Sequence, residues 1–300
     1  MKNSAFNRRS FLKTGALSIG ASALGTSEIM ASNQPVNYNY PKMELSLAAY
    51  SFRTEFRNNK LTMEEFIDYC HDLNLDGTEL TSYFFSSNDD AYLLSLRNKC
   101  FHLGLDISGT AIGNNFVTAD AKKRQEEVKT TKMWIDKASI LGAPSIRVFG
   151  GHQIPEGHSE EDAYDWVISS LQECVDYASQ KGIVLALENH GGFPTSSEQV
   201  IKIVEAIDSP WLGVNLDTGN FHGDWYRQMA ELAPYAVVVQ LKVNLRSTVE
   251  GGRRIATDPE RIIKLLRNEG YRRFLVLEYE EDNPYEEIPI WIDRLKDLIG

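Results

Sequence analysis

Glu188, Asp217 and Glu278 each close a short apolar run, in Leu185-Ala-Leu-Glu188, Asn215-Leu-Asp217 and Val276-Leu-Glu278, and Glu79, Arg147 and Lys242 stand in three similar runs. Three carboxylates sharing one partly desolvated pocket cannot all stay ionised without a positive charge among them. They can take up protons, be neutralised by Lys242 and Arg147, or hold a divalent cation. The cation is the expectation here, because Gln240 adds a neutral oxygen donor on the run between Asp217 and Glu278. Glu188, Asp217, Gln240 and Glu278 make a hard, all-oxygen set that suits Mn²⁺ or Mg²⁺ better than Zn²⁺. An internal ion-pair network without metal is the competing reading of the same residues.

Whether these groups meet depends on the elements that carry them. From residue 44 onward β-rich runs alternate with helical ones. Strands are predicted over Leu45–Phe52, Gly77–Tyr83, Asp106–Ile112, Ser145–Gly150, Ile183–His190, Leu212–Asn220, Ala236–Val243 and Phe274–Glu280. Helices are predicted around 62–74, 90–103, 120–141, 160–181, 197–207, 224–233, 258–269 and 286–298. Their apolar residues recur at three- and four-residue spacing, as in Phe66/Ile67/Cys70 and Ile262/Leu265/Leu266. Thr62 ahead of Glu64-Glu65, and Asp258-Pro259, mark helix starts; Gly182 and Gly270 mark helix ends. Eight strand–helix repeats predict an α/β protein, a single (β/α)8 TIM barrel over residues 44–300. Side chains alternate across a strand. Leu185, Leu187, Val214, Leu216, Val239, Leu241, Leu275 and Leu277 therefore face the helices. Glu79, Arg147, Glu188, His190, Asp217, Gln240, Lys242, Glu278 and Glu280 face the axis, toward the C-terminal strand ends where barrel enzymes carry their active sites.

The segments Leu185-Ala-Leu-Glu188-Asn-His190, Asn215-Leu-Asp217-Thr-Gly219-Asn220, Val239-Gln240-Leu-Lys242 and Val276-Leu-Glu278-Tyr, in that order on the fifth to eighth strands, resemble the xylose isomerase-like barrels. That superfamily includes sugar phosphate isomerases and epimerases, and the likeness spans nearly all of residues 44–298. In its ketose epimerases a Glu, an Asp, a His and a second Glu hold one divalent metal. The resemblance thus implies Glu188, Asp217 and Glu278 as ligands. Gln240 stands where a His is usual, and Asn220 where many members carry a substrate-binding His. It further implies a metal-dependent sugar isomerase or epimerase working through an enediolate. Glu188 and Glu278 would take and return the proton, with Lys242 or Arg147 steadying the oxyanion. His190 and His222 are candidates for hydroxyl binding or proton relay, and His152 joins them. Glu79 either contacts substrate or ties the second strand to Arg147. His222 in its Gly-rich loop also reads as a surface residue, and His71, His102 and His158 read as spectators. Tyr50, Phe52, Phe193 and Trp225 either stack on a sugar ring or pack.

The N-terminus is of another character. Asn7-Arg8-Arg9-Ser10-Phe11-Leu12-Lys13 leads a weakly apolar stretch, Gly15 to Gly25, as in an export signal. The paired arginines resemble the twin-arginine signal of bacterial export. Residues 1–32 are expected as signal peptide and 33–43 as a leader, with the twin-arginine export machinery as a transit partner and a periplasmic or otherwise exported product. The chain carries 31 basic against 42 acidic residues, net −11, and losing residues 1–32 removes four basic and one acidic, leaving −14. Such a surface repels phosphates, so no nucleic-acid partner is expected. After residue 32 no apolar run is long enough for membrane insertion. The expected partner is a small-molecule carbohydrate; a homo-oligomer stays open. Cys70, Cys100 and Cys174 fall in helical patterns and are expected to be buried without a disulfide.

Other functions compete for the same barrel. A 3-keto-glycoside lyase or hydrolase would share the enolisation step and then lose the aglycone. An exported enzyme meets glycosides more often than sugar phosphates, and the acidic surface disfavours a phosphorylated substrate. A non-catalytic exported sugar-binding barrel is compatible with Gln240 in the place of His, but needs no opposed pair of bases. The DNA-repair endonucleases of the superfamily use three zincs and many His ligands, which six histidines and the acidic charge do not suit.

Overall fold

The structure, a computed structural model, describes residues 43–246 and 254–300. The expected signal peptide and all of the leader except Met43 lie outside the described residues. Eight parallel strands close into a barrel: β1 Glu44–Ala48, β2 Gly77–Thr81, β3 Asp106–Ala111, β4 Ser145–Val148, β5 Val184–Glu188, β6 Leu212–Asp217, β7 Ala236–Lys242 and β8 Phe274–Glu278. They pair in sequence order, and β8 returns to β1 with Leu47 beside Leu277. The helices between and after them are α1 Met63–Asp72, α2 Asp90–Leu103, α3 Ala121–Leu141, α4 Glu160–Lys181, α5 Ser197–Ile207, α6 Trp225–Leu232, α7 Pro259–Asn268 and α8 Pro284–Ile299. The predicted TIM barrel is the fold of this chain.

Local signals account for the helices. At α1 the Thr62 hydroxyl accepts from the Glu65 N–H at 3.2 Å while the Glu65 carboxylate accepts from the Thr62 N–H at 2.8 Å, a reciprocal cap that satisfies two otherwise orphaned donors. Asp258 caps α7 by accepting from the Arg261 N–H at 3.1 Å, with Pro259 in the first helical position. Ile262, Ile263 and Leu266 of α7 are buried, a single apolar stripe laid against the strands. The outward strand residues Leu185, Leu187, Val214, Leu216, Val239, Leu241, Leu275 and Leu277 are all buried in the same core. Cys70, Cys100 and Cys174 are buried in it too.

The barrel interior is narrower and layered. Ser46 and Ser108 share a hydrogen bond of 2.7 Å, and Ala48, Ala186, Val238 and Val276 form a small apolar plug. Toward the C-terminal ends the interior turns polar. The strands are shorter there than predicted. Residues 49–52 and 82–84 are 3-10 turns, and His190, Asn220 and Glu280 lie past the strand ends. Beyond Glu188, Asp217 and Glu278 the chain leaves its neighbours to reach the next helix, so the ladder has no partner to continue with. Two elements had no sequence signal. One is a helical turn over Arg53–Arg57; the other is an antiparallel ribbon, Asn244–Arg246 with Arg254–Ala256, between β7 and α7. Among the described residues no helix is long and apolar enough to cross a membrane.

Candidate active site

Register places the polar side chains side by side. Glu188 on β5 lies beside Asn215 on β6, Asp217 beside Gln240 on β7, and Lys242 beside Glu278 on β8. The ladder slips by one residue at Thr78/Glu79 and again at Val214/Asn215. Each slip falls at a buried polar residue, and an extra residue in one strand re-aims its neighbours.

Around Glu188 the first half of the site assembles. Its Oε2 pairs with Arg147 Nε at 3.0 Å, an ion pair whose N–H is not aligned for a hydrogen bond. Its Oε1 meets His190 Nδ1 at 2.7 Å and accepts from Asn220 Nδ2 at 3.1 Å. Arg147 donates through Nη1 to the Ile112 carbonyl at 2.6 Å and the Tyr83 hydroxyl at 3.1 Å, and lies over the Phe149 ring at 4.0 Å. Burial alone would raise the Glu188 carboxyl, but Arg147 and the His190 bond outweigh it and hold it below the usual carboxylate range. Burial likewise opposes the charged imidazole, yet Glu188 raises His190 above its ordinary value. The His190 side chain is 46% exposed, so it joins a buried carboxylate to solvent.

Lys242 is the centre of the second half. Its Nζ touches Glu278 Oε2, and lies 3.3 Å from Asp217 Oδ2 and 3.3 Å from Glu280 Oε1. Burial works against the ammonium, but the three carboxylates raise it well above its ordinary value. Burial pushes Asp217 up to about 7 against the pull of Lys242, and raises Glu278 in the same way. Asp217 Oδ1 accepts from the Gly219 N–H at 2.8 Å, and Asn189 clamps the Asp217 backbone at both its N–H and its carbonyl.

Between the halves lies a chain of amides. Asn215 donates to Gln240 Oε1 at 2.6 Å, and Gln240 donates to Glu79 Oε2 at 2.9 Å. Burial, then Glu278, push Glu79 up to about 7.

Of the residues singled out from sequence, Glu79, Arg147, Glu188, His190, Asp217, Gln240, Lys242 and Glu278 converge on this mouth. His152 and His222 do not join the cluster. Both are exposed, on the loops after β4 and β6, and are placed by backbone bonds, His152 N–H to Asn115 and the His222 carbonyl from Gln228. Glu280 and Tyr83, absent from the predicted site, belong to it. Both follow the inward parity of their predicted strands, Glu280 with Glu278 and Tyr83 with Glu79, and could have been chosen on that ground.

The divalent cation expected from sequence meets a poor fit. Three carboxylates are present, but Asp217 and Glu278 already contact an ammonium and Glu188 a guanidinium. The carbonyl oxygen of Gln240 accepts from Asn215 and its amide donates to Glu79, so as placed here it is not turned toward the three carboxylates as a set. Among the described residues no group of three His, Cys, Asp or Glu is arranged to hold a metal.

Residues 67–297 match the family of xylose isomerase-like TIM barrels. The chain belongs to that family. Among curated proteins none matches the sequence. Solved structures share the xylose isomerase-like fold at low identity. A xylose isomerase domain protein from Planctomyces limnophilus superposes with a TM-score of 0.68 at 19% identity, covering 86% of this chain and 97% of the other. D-psicose 3-epimerase from Clostridium cellulolyticum H10, solved with D-tagatose, gives 0.69 at 14%, covering 86% and 100%. The probable 3-DHS dehydratase of Bacillus anthracis gives 0.69 at 15%, covering 85% and 99%.

Proposed function

We propose that this xylose isomerase-like barrel is an exported carbohydrate isomerase or epimerase that moves a proton on the carbon next to a carbonyl. The observation that carries the reading is the pair Glu188 and Glu278, both buried at one mouth of the barrel and each held by its own cation, Arg147 and Lys242. Their surroundings push them apart, Glu188 toward the ionised form and Glu278 toward the protonated one. Such a split sorts a base from an acid. Two solved neighbours on the same fold are named as epimerases of D-psicose and L-ribulose, which supports carbohydrate as the substrate class. The acidic surface favours an uncharged sugar.

In this mechanism Glu188 takes the proton from the carbon beside the carbonyl, and the freed electron pair moves onto the carbonyl oxygen. Lys242 and Arg147 oppose the charge that develops there; preorganised donors at such a point are worth a large share of the barrier. The Glu278 acid returns a proton to the planar carbon from the other side as the carbonyl re-forms, giving the epimer. Protonation of the former carbonyl carbon, with the neighbouring hydroxyl passing its proton to the oxyanion as the new carbonyl forms, gives the isomer. His190 then exchanges the proton on Glu188 with solvent. A leaving group on the next carbon would divert the same intermediate to elimination.

Deuterium exchange in D2O, followed by NMR over a panel of free ketoses and 3-keto-glycosides, tests this. Exchange at one carbon, lost in Glu188→Gln and in Glu278→Gln, is the expected result. An accompanying epimer or isomer supports the reading as stated, and a released aglycone replaces it with a lyase. Sugar binding without exchange would reduce the protein to a binding barrel.

A further inference from the structure

We infer that the Lys242 ammonium stands among the carboxylates that the expected divalent cation would need, so that this site works with a fixed organic cation in place of a metal. The inference rests on the proton-transfer reading above for its chemistry, but on geometry alone for the site.

Lys242 Nζ donates a hydrogen bond to Glu278 Oε2 and forms ion pairs at 3.3 Å with Asp217 Oδ2 and Glu280 Oε1, the Asp217 oxygen being buried without a hydrogen bond, so one positive charge stands among three carboxylates. Two of these are carboxylates that a metal would need. The third, Glu188, is already matched by Arg147. A divalent ion entering among them would sit beside a buried ammonium of like charge, in surroundings where such repulsion is only weakly screened. The fourth donor is missing as well: Gln240 could turn its oxygen to a metal only by abandoning Asn215, whose own Oδ1 is already buried without a hydrogen-bond partner. An unmade bond there is costly.

Lys242 is also held in place. Its side chain is 10% exposed. Its N–H donates to the Thr218 hydroxyl at 2.9 Å and its carbonyl accepts from the Thr257 hydroxyl at 2.6 Å. Gly219 passes so close that a methyl group there would come within 2.6 Å of Lys242 Cγ. The stem therefore runs in a slot that only glycine leaves open, which limits its freedom to swing aside for a metal. The contacts to Asp217 and Glu280 are looser than that to Glu278, so a substrate carbonyl oxygen can displace one of them and receive an N–H as its charge grows. A lysine supplies this as a point charge with rotatable donors.

The test uses the full chain without its signal, stripped by chelator and dialysed. Mn²⁺ binding is read by electron paramagnetic resonance, alongside deuterium exchange with and without chelator. We expect the wild type to show no stoichiometric Mn²⁺ site and an exchange rate indifferent to chelator. Lys242→Ala, which removes the charge and opens the slot, is expected to bind one Mn²⁺ roughly tenfold or more tighter than the wild type. Lys242→Arg, which keeps the charge, should not. A wild type that takes up one equivalent of Mn²⁺ and loses exchange on chelation overturns the inference while leaving the proton-transfer reading intact. A wild type that excludes Mn²⁺ yet exchanges no proton with any sugar upholds the site and removes the reaction. Should Lys242→Ala fail to fold, the wild-type measurement still decides.

Discussion

Glu79 is buried at the same mouth as Glu188 and Glu278 with its carboxyl pushed up to about 7, and it ends the amide chain that runs through Gln240 to Asn215. A carboxyl raised in the folded state binds its proton more tightly there than in the unfolded chain. Its contribution is complete below the ordinary carboxylate range near 4.5 and is lost as pH rises through 7. Wild type should therefore lose stability relative to Glu79→Gln between about pH 5 and pH 8, by about 3 kcal/mol at the upper limit. Glu79 also accepts from the Thr81 hydroxyl at 3.3 Å, and a glutamine there can still accept from Gln240 while its amide donates to the Thr81 hydroxyl, which can turn to accept. Urea denaturation of the two proteins across that range checks the sign. A gap that does not widen with pH would mean that Glu79 is ionised throughout and draws on Arg147 more than its burial suggests.

At the scale of elements, the loop that follows β6 and the ends of the helices make opposite predictions. Gly219→Ala should press on the Lys242 stem and reduce the exchange rate by roughly tenfold or more, since small displacements of a catalytic group are costly. Thr62→Ala removes the cap of α1, a residue whose side chain bonds to Glu65 and to no residue of the site, and should cost about 1 kcal/mol of stability with the exchange rate unchanged. Thermal unfolding and exchange measured together separate the two. The same contrast explains what the sequence disclosed. The alternation of Leu187 with Glu188, Leu216 with Asp217 and Leu277 with Glu278 was readable because a strand has period two, and that alone brings the carboxylates inside the barrel. The direction of the Gln240 amide was not readable. It depends on which neighbours across two ladders have a donor or acceptor left over, Asn215 on one side and Glu79 on another. Tyr83 shares the parity of Glu79 in the predicted strand, but it reaches Arg147 from a 3-10 turn after β2, where strand alternation no longer sets direction. The strand ends were overrun because apolar character continues past the last paired residue, as at Phe149 and Tyr279, while the ladder does not.

For the whole molecule, the proposal that residues 1–32 direct export gives a test independent of the site. Replacing Arg8 and Arg9 together by Lys should keep the protein in the cytoplasm without changing its exchange activity in lysate, read by cell fractionation and immunoblotting. Equal amounts outside the cell with and without the pair would remove the export proposal. The barrel adds a matter of timing. Its seam is the pairing of β1 with β8, the first strand with the last, and β8 brings Glu278. Contacts so distant along the chain are slow to form, and β8 follows the other seven strands in synthesis. A chain that stops before residue 278 can therefore hold only Glu188 of the proposed pair: the two carboxyls come to face one mouth when the ring shuts.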